Sequence, residues 1–120
     1  MRRRILAIDT ATRTLSVALG DDGGWWLNVA GPGQGRGEAL VALIQRGLAE
    51  AGWRGTGLDG IAVTVGPGSY TGLRVGLAVA KTLAWAWERP LVGVDTLMAM
   101  ALAVGWAAPM VVAALDARRG

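Results

Sequence analysis

The side chains able to do chemistry in this 120-residue chain are carboxylates, hydroxyls and basic groups, because it has neither histidine nor cysteine. That excludes Ser-His-Asp and Cys-His nucleophilic catalysis, a disulfide framework, and thiolate or imidazole metal sites. Two places invite a chemical reading. The first is Asp9, with Thr10 beside it, at the end of the apolar run Ile5-Leu6-Ala7-Ile8. A carboxylate there suits a metal, but two Mg²⁺ ions need several clustered acids. Glu38, Asp59, Asp95 and Asp116 are the possible companions, and no two of these acids share a local motif. The commoner role of such an aspartate is to cap a turn.

The second place is Gly66-Pro67-Gly68-Ser69-Tyr70-Thr71-Gly72. Backbone amides of a glycine loop at a helix N-terminus can face a phosphate, so Gly66, Gly68 and Ser69 join Asp9 and Thr10 as cofactor-binding candidates. The spacing is G-x-G-x-x-x-G, which is neither the dinucleotide fingerprint nor a Walker loop with its Gly-Lys-Ser/Thr. The alternative is a rigid strand-to-helix turn that lets the helix pack closely. Residue types and spacing single out no complete catalytic constellation and no complete metal ligand set.

These residues need elements to position them. Residues 4–8 read as a short apolar strand. Residues 14–19 alternate, with Leu15, Val17 and Leu19 on one face, as a half-buried antiparallel strand does. Asp21-Asp22-Gly23-Gly24 is a hairpin signal, and residues 25–30 return as a third strand. A glycine-rich loop, 31–37, leads to a helix over 38–51, with Leu40, Val41, Ile44, Leu48 and Ala51 on one face. Residues 61–65, apolar apart from Thr64, read as a buried parallel strand. A helix over 71–88, stopped by Pro90, a strand over 91–94, a helix from Asp95 or Thr96 to about 104, and a strand over 110–115 complete the chain.

The helix over 71–88 carries Arg74, Lys81 and Glu88 seven residues apart, in one stripe about 40° wide. Its other positions are nearly all apolar, and Gly72, Gly76, Ala80 and Ala84 recur every fourth residue. So narrow a polar stripe requires cover on more than one side. The helix is either wedged between the sheet and the helix before it, or shares its small-residue side with a second subunit.

Composition adds limits. Apolar residues make up 52% and charged residues 18%, enough to bury a core, and the formal net charge is +3. That charge allows an anionic partner, but Arg2-Arg3-Arg4 and Arg118-Arg119 read first as solvated strand ends, and no interleaving of basic and aromatic residues marks a nucleic-acid surface. The apolar run behind Arg4 is too short for a signal peptide. Residues 96–115 carry no charge, but Gly105 and Pro109 interrupt them, so they are expected to form a short helix and a buried strand rather than a membrane span.

Three antiparallel strands followed by helix, strand, helix and strand is the order of a ribonuclease H-like domain, the unit duplicated in the actin-like ATPase superfamily. The expected fold is α/β, with a mixed five-stranded sheet and flanking helices. Both relatives place a metal-associated carboxylate where Asp9 stands. An ATP-dependent phosphotransferase using Asp9 and the Gly66 loop, or a nuclease using Asp9 with other acids, are thus the enzymatic readings. Against the first, Thr10-Ala11-Thr12-Arg13 lacks the glycine that admits phosphate. Residues 111–119 echo 5–13, which places a domain over 1–108 and the first strand of a second copy in 109–120.

Four segments together resemble the TsaB family: Ile5-Leu6-Ala7-Ile8-Asp9-Thr10-Ala11-Thr12, Gly66-Pro67-Gly68-Ser69-Tyr70-Thr71-Gly72-Leu73-Arg74-Val75-Gly76, Val92-Gly93-Val94-Asp95-Thr96-Leu97 and Leu115-Asp116-Ala117-Arg118. The resemblance implies a cytoplasmic, non-catalytic scaffold that pairs with the catalytic subunit TsaD. ATP and metal then belong to TsaD, the ATPase TsaE joins, and the complex makes threonylcarbamoyladenosine beside the anticodon of tRNA. It implies an interface, shared with self-association as a homodimer, on Leu40, Val41, Ile44 and Leu48 of one helix and Leu73, Gly76, Leu77, Ala80 and Ala84 of the next. The chain departs from the family in having Arg36-Gly37 where a His-Ser pair is common, and in lacking most of a second domain.

Overall fold

A computed structural model of the chain describes residues 3–12, 14–21, 24–32 and 37–98. The strands β1 (Ile5–Asp9), β2 (Thr14–Asp21) and β3 (Gly24–Pro32) form an antiparallel meander. Helix α1 (Gly37–Ala51) and a single 3₁₀ turn, Gly55–Gly57, lead into β4 (Gly60–Gly66), which lies parallel to β1. Helix α2 (Tyr70–Trp87) then crosses to β5 (Leu91–Asp95), parallel to β4. The chain is therefore α/β, with a mixed sheet of order β3-β2-β1-β4-β5.

The alternation along β1, β2 and β4 decides where the core sits. Leu6, Ile8, Leu15, Val17, Leu19, Ile61 and Val63 point to one face and are buried there against Leu40, Ile44 and Leu48 of α1 and Ala80 and Ala84 of α2. Burying each large aliphatic side chain stabilises the fold by about 1.5–3 kcal/mol. The two helices meet where Val75 and Val79 approach Gly37 at the start of α1.

Three sequence expectations need adjustment. The third strand runs on through Gly31 and Pro32 instead of ending at Ala30, because β2 offers partners as far as Thr14 in the same register. Helix α2 ends before Pro90 acts on it. Glu88 turns left-handed (φ 53°, ψ 49°), and its N–H and that of Arg89 close onto the last carbonyls. Glu88 therefore lies beyond the helix, and the exposed charged stripe consists of Arg74 and Lys81.

The third correction concerns the small residues. Gly72, Gly76, Ala80 and Ala84 are all buried, and they face the sheet rather than a second subunit. The reason is steric: a Cβ at Gly72 would strike the carbonyl oxygen of Thr10, and one at Gly76 its hydroxyl. Small residues here let α2 lie close on the end of β1. The expected third helix begins at 96–98, where Asp95 Oδ1 accepts the Met98 N–H at 3.0 Å. Its continuation, the strand over 110–115, Asp116 and the boundary near 108 lie outside the described residues.

Candidate functional site

The carboxyl ends of β1 and β4 and the N-terminus of α2 converge on one spot. After Ile8 the chain turns out of β1, and Asp9 Oδ1 accepts two hydrogen bonds there, from the Ala11 N–H and from the Thr64 hydroxyl, each at 3.0 Å. One bond tightens the turn and the other ties it to the neighbouring strand. Thr64 is the residue that motif reading passed over. Its signal was a single hydroxyl in an otherwise apolar buried strand, which needs a partner to be stable there.

Thr10 points the other way, toward α2, and is completely buried with no hydrogen-bond partner for its hydroxyl. The glycine loop seals this end. Gly66 has a φ of 126°, in a region that side chains disfavour, and its bond to Pro67 is cis. The Ser69 N–H donates to the Ala11 carbonyl at 2.8 Å, while Ser69 Oγ accepts from the Gly72 N–H at 3.2 Å as the N-cap of α2. A Cβ on Gly68 would come within 2.6 Å of the Ala11 carbonyl oxygen. Arg74 lies over the Tyr70 ring at 5.3 Å on the exposed side.

Asp9, Thr10, Gly66, Gly68 and Ser69, proposed from sequence as a set, are thus brought together. The other acids are not. Glu38 is exposed at the start of α1, Asp95 caps the helix after β5, and Asp59 sits at the opposite end of the sheet, where its carboxylate accepts the Arg4 N–H at 2.7 Å. Among the described residues no three His, Cys, Asp or Glu side chains group as a metal would need. Chemically, the site is a joint: one carboxylate and one serine fix where α2 enters the sheet.

The interface set divides in the same way. Leu40, Ile44, Leu48, Gly76, Ala80 and Ala84 are buried inside the domain, which corrects their placement on a docking surface, since the sheet already covers them. Val41, Leu73 and Leu77 are half-buried, and the exposed positions beside them on α2 are Arg74, Ala78 and Lys81.

Residues 36–120 match the family model TsaD, tRNA N6-adenosine threonylcarbamoyltransferase. The chain is 41% identical to the tRNA threonylcarbamoyladenosine biosynthesis protein TsaB of Escherichia coli, over 98% of this chain and 52% of that protein. It is 52% identical to a tRNA N6-adenosine threonylcarbamoyltransferase of Sorangium cellulosum, over 55% of this chain and 18% of that one. Among solved structures, YeaZ from Pseudomonas aeruginosa superposes with a TM-score of 0.85 at 34% identity, covering 97% of this chain and 55% of YeaZ. The chain spans about half the length of the TsaB relative.

Proposed function

The chain belongs to the family described by the TsaD model, as one of its TsaB-type members, and from that premise we propose that it acts in making threonylcarbamoyladenosine on tRNA as a non-catalytic partner subunit. The observation that carries this reading is the match to E. coli TsaB across nearly the whole chain. The catalytic subunit is then a TsaD-type protein, which supplies ATP and metal chemistry, with a TsaE-type ATPase joining the complex in the cytoplasm. The sheet order, with β1 antiparallel to β2 and parallel to β4, supports placing the domain among ribonuclease H-like folds of the actin-like ATPase superfamily.

Two features favour a scaffold over an enzyme. Asp9 spends one carboxylate oxygen on the turn and on Thr64, and Gly68, Gly72 and Gly76 are used for close packing on Thr10 and Ala11. Partner contact, and self-association of the chain alone, fall on the outer side of α1 and α2 around Val41, Leu73 and Leu77. Among the described residues no helix is long and apolar enough to cross a membrane.

Depleting the protein should abolish threonylcarbamoyladenosine in bulk tRNA, read by nucleoside mass spectrometry, and unchanged modification would refute the assignment. Ala78→Arg, on the exposed side of α2, should abolish co-purification with a TsaD-type protein while the domain stays folded. Ala80→Arg cannot serve, because Ala80 is buried in the core. Tight Mg-ATP binding by the purified chain, lost in Asp9→Ala, would favour the phosphotransferase reading instead.

A further inference from the structure

At the end of the sheet opposite Asp9, where β1, β4 and β5 begin, the segment after α1 and the end of α2 bring together arginines and tryptophans that are far apart in sequence. The Arg4 guanidinium lies over the Trp53 ring at 4.7 Å from its centroid. Arg54 follows and is exposed. The next residue, Gly55, is pressed against the Trp87 ring so closely that a Cβ there would overlap it. Two residues either side of Trp87 come Trp85 and Arg89, and the Pro90 carbonyl accepts the Ile61 N–H at 2.9 Å, which ties this corner to the start of β4. Arg4 is tied to the same corner through its backbone pairing with Asp59.

Two details show surface not satisfied within the domain. Trp85 is 84% exposed, the most exposed of the large apolar side chains in the described residues. It borders an open hollow of about 600 Å³ lined also by Ala84, Ala86, Glu88 and Arg89. Arg89 Nε is buried at the hollow with no hydrogen-bond partner. Of the carboxylates nearby, Glu50 is paired with Arg46 at 3.1 Å, while Asp59 keeps its charge and accepts the Arg4 backbone N–H. Glu88 is the one at the rim of the hollow.

We infer that this pole binds RNA, with phosphates on Arg4, Arg54 and Arg89 and an unpaired base stacked on Trp85. The charge complementarity favours a polyanion over a protein surface, and a flat, exposed indole beside Arg89 suits a base, whose faces stack on aromatic rings whatever the sequence. The inference rests on the tRNA-modification reading only for the identity of the RNA, a tRNA whose looped strands offer such bases.

Filter binding of the full chain to an unmodified tRNA transcript and to its isolated anticodon stem-loop tests this. Trp85→Ala should weaken binding about 5- to 160-fold. Arg54→Ala should weaken it and flatten the salt slope by about 0.7–0.9, the loss of one phosphate contact. Glu88→Gln should tighten it, and Arg74→Ala, at the far end of α2, should leave it unchanged. Circular dichroism on each variant confirms folding, since Trp85 and Arg54 are exposed. Absence of RNA binding, or Trp85→Ala and Arg54→Ala binding like the parent, overturns the inference. So does equal weakening by Arg74→Ala, which would mean diffuse charge alone. Loss of a TsaD-type partner at unchanged RNA affinity would also overturn it, by making the pole a protein interface. The tRNA-modification reading fails separately, if modified nucleoside persists without this protein, and RNA affinity then still decides the inference.

Discussion

Thr10 and the glycines against it define how much this domain tolerates at its most crowded point. Gly76 has no room for a methyl group, because the Thr10 hydroxyl occupies that space. Gly76→Ala should therefore destabilise the fold by about 1–3 kcal/mol despite the better helix propensity of alanine. The Thr10 hydroxyl itself is buried and makes no hydrogen bond. Thr10→Val removes an unsatisfied polar group at nearly constant shape, so it should be neutral or stabilise by about 1 kcal/mol. Urea denaturation of both variants checks this. A Thr10→Val protein with lowered stability would mean that the hydroxyl has a partner, such as a ligand, and would return Thr10 to the list of binding residues.

At the scale of elements, the sequence pattern of α2 was clear and its orientation was not. Three faces compete on such a helix: the small residues, the larger aliphatics, and the stripe of Arg74 and Lys81. Close approach to the end of β1 selects the small face for the sheet. The same helix carries a correctable flaw at its end. Glu88 holds a left-handed conformation, which costs a residue with a Cβ about 1–2 kcal/mol, and its charge sits at the negative end of the helix dipole. Glu88→Gly should raise stability by up to about 1 kcal/mol, seen as a higher melting temperature in calorimetry. A lower melting temperature would show that Glu88 makes a stabilising contact that outweighs its strain.

At the scale of the whole molecule, β1 and β4 lie between other strands, while β3 and β5 form the edges. The central strands are buried under α1 and α2, and β5 exposes Val92 and Gly93. Amide hydrogen exchange should be slowest at 6–8 and 61–63 and faster by at least tenfold along β5, since edge strands open at lower free energy than the core. Uniform protection across the sheet would contradict this order. The two ends of the same sheet also differ in character. The end bearing Asp9 is closed by the glycine loop, whereas the end bearing Arg4 and Arg54 is open, with Trp85 held out into solvent.

The sequence by itself determined the elements and the family. Alternation along 14–19, the helical spacing of Leu40, Ile44 and Leu48, and the specific run from Gly66 to Gly76 depend on local periodicity and residue order, which need no coordinates. Only the tertiary structure decided which residues are surface. Periodicity says that a face is apolar, but not whether a sheet or a partner covers it. Thus Ile44 and Ala80 moved from a supposed interface into the core. It also decided which distant residues meet. Asp9 finds Thr64 across fifty-five positions, and Arg4 finds Trp53, through strand pairing that brings remote segments side by side. Such pairings depend on long-range packing, so neither a turn signal nor a spacing rule along the chain can reveal them.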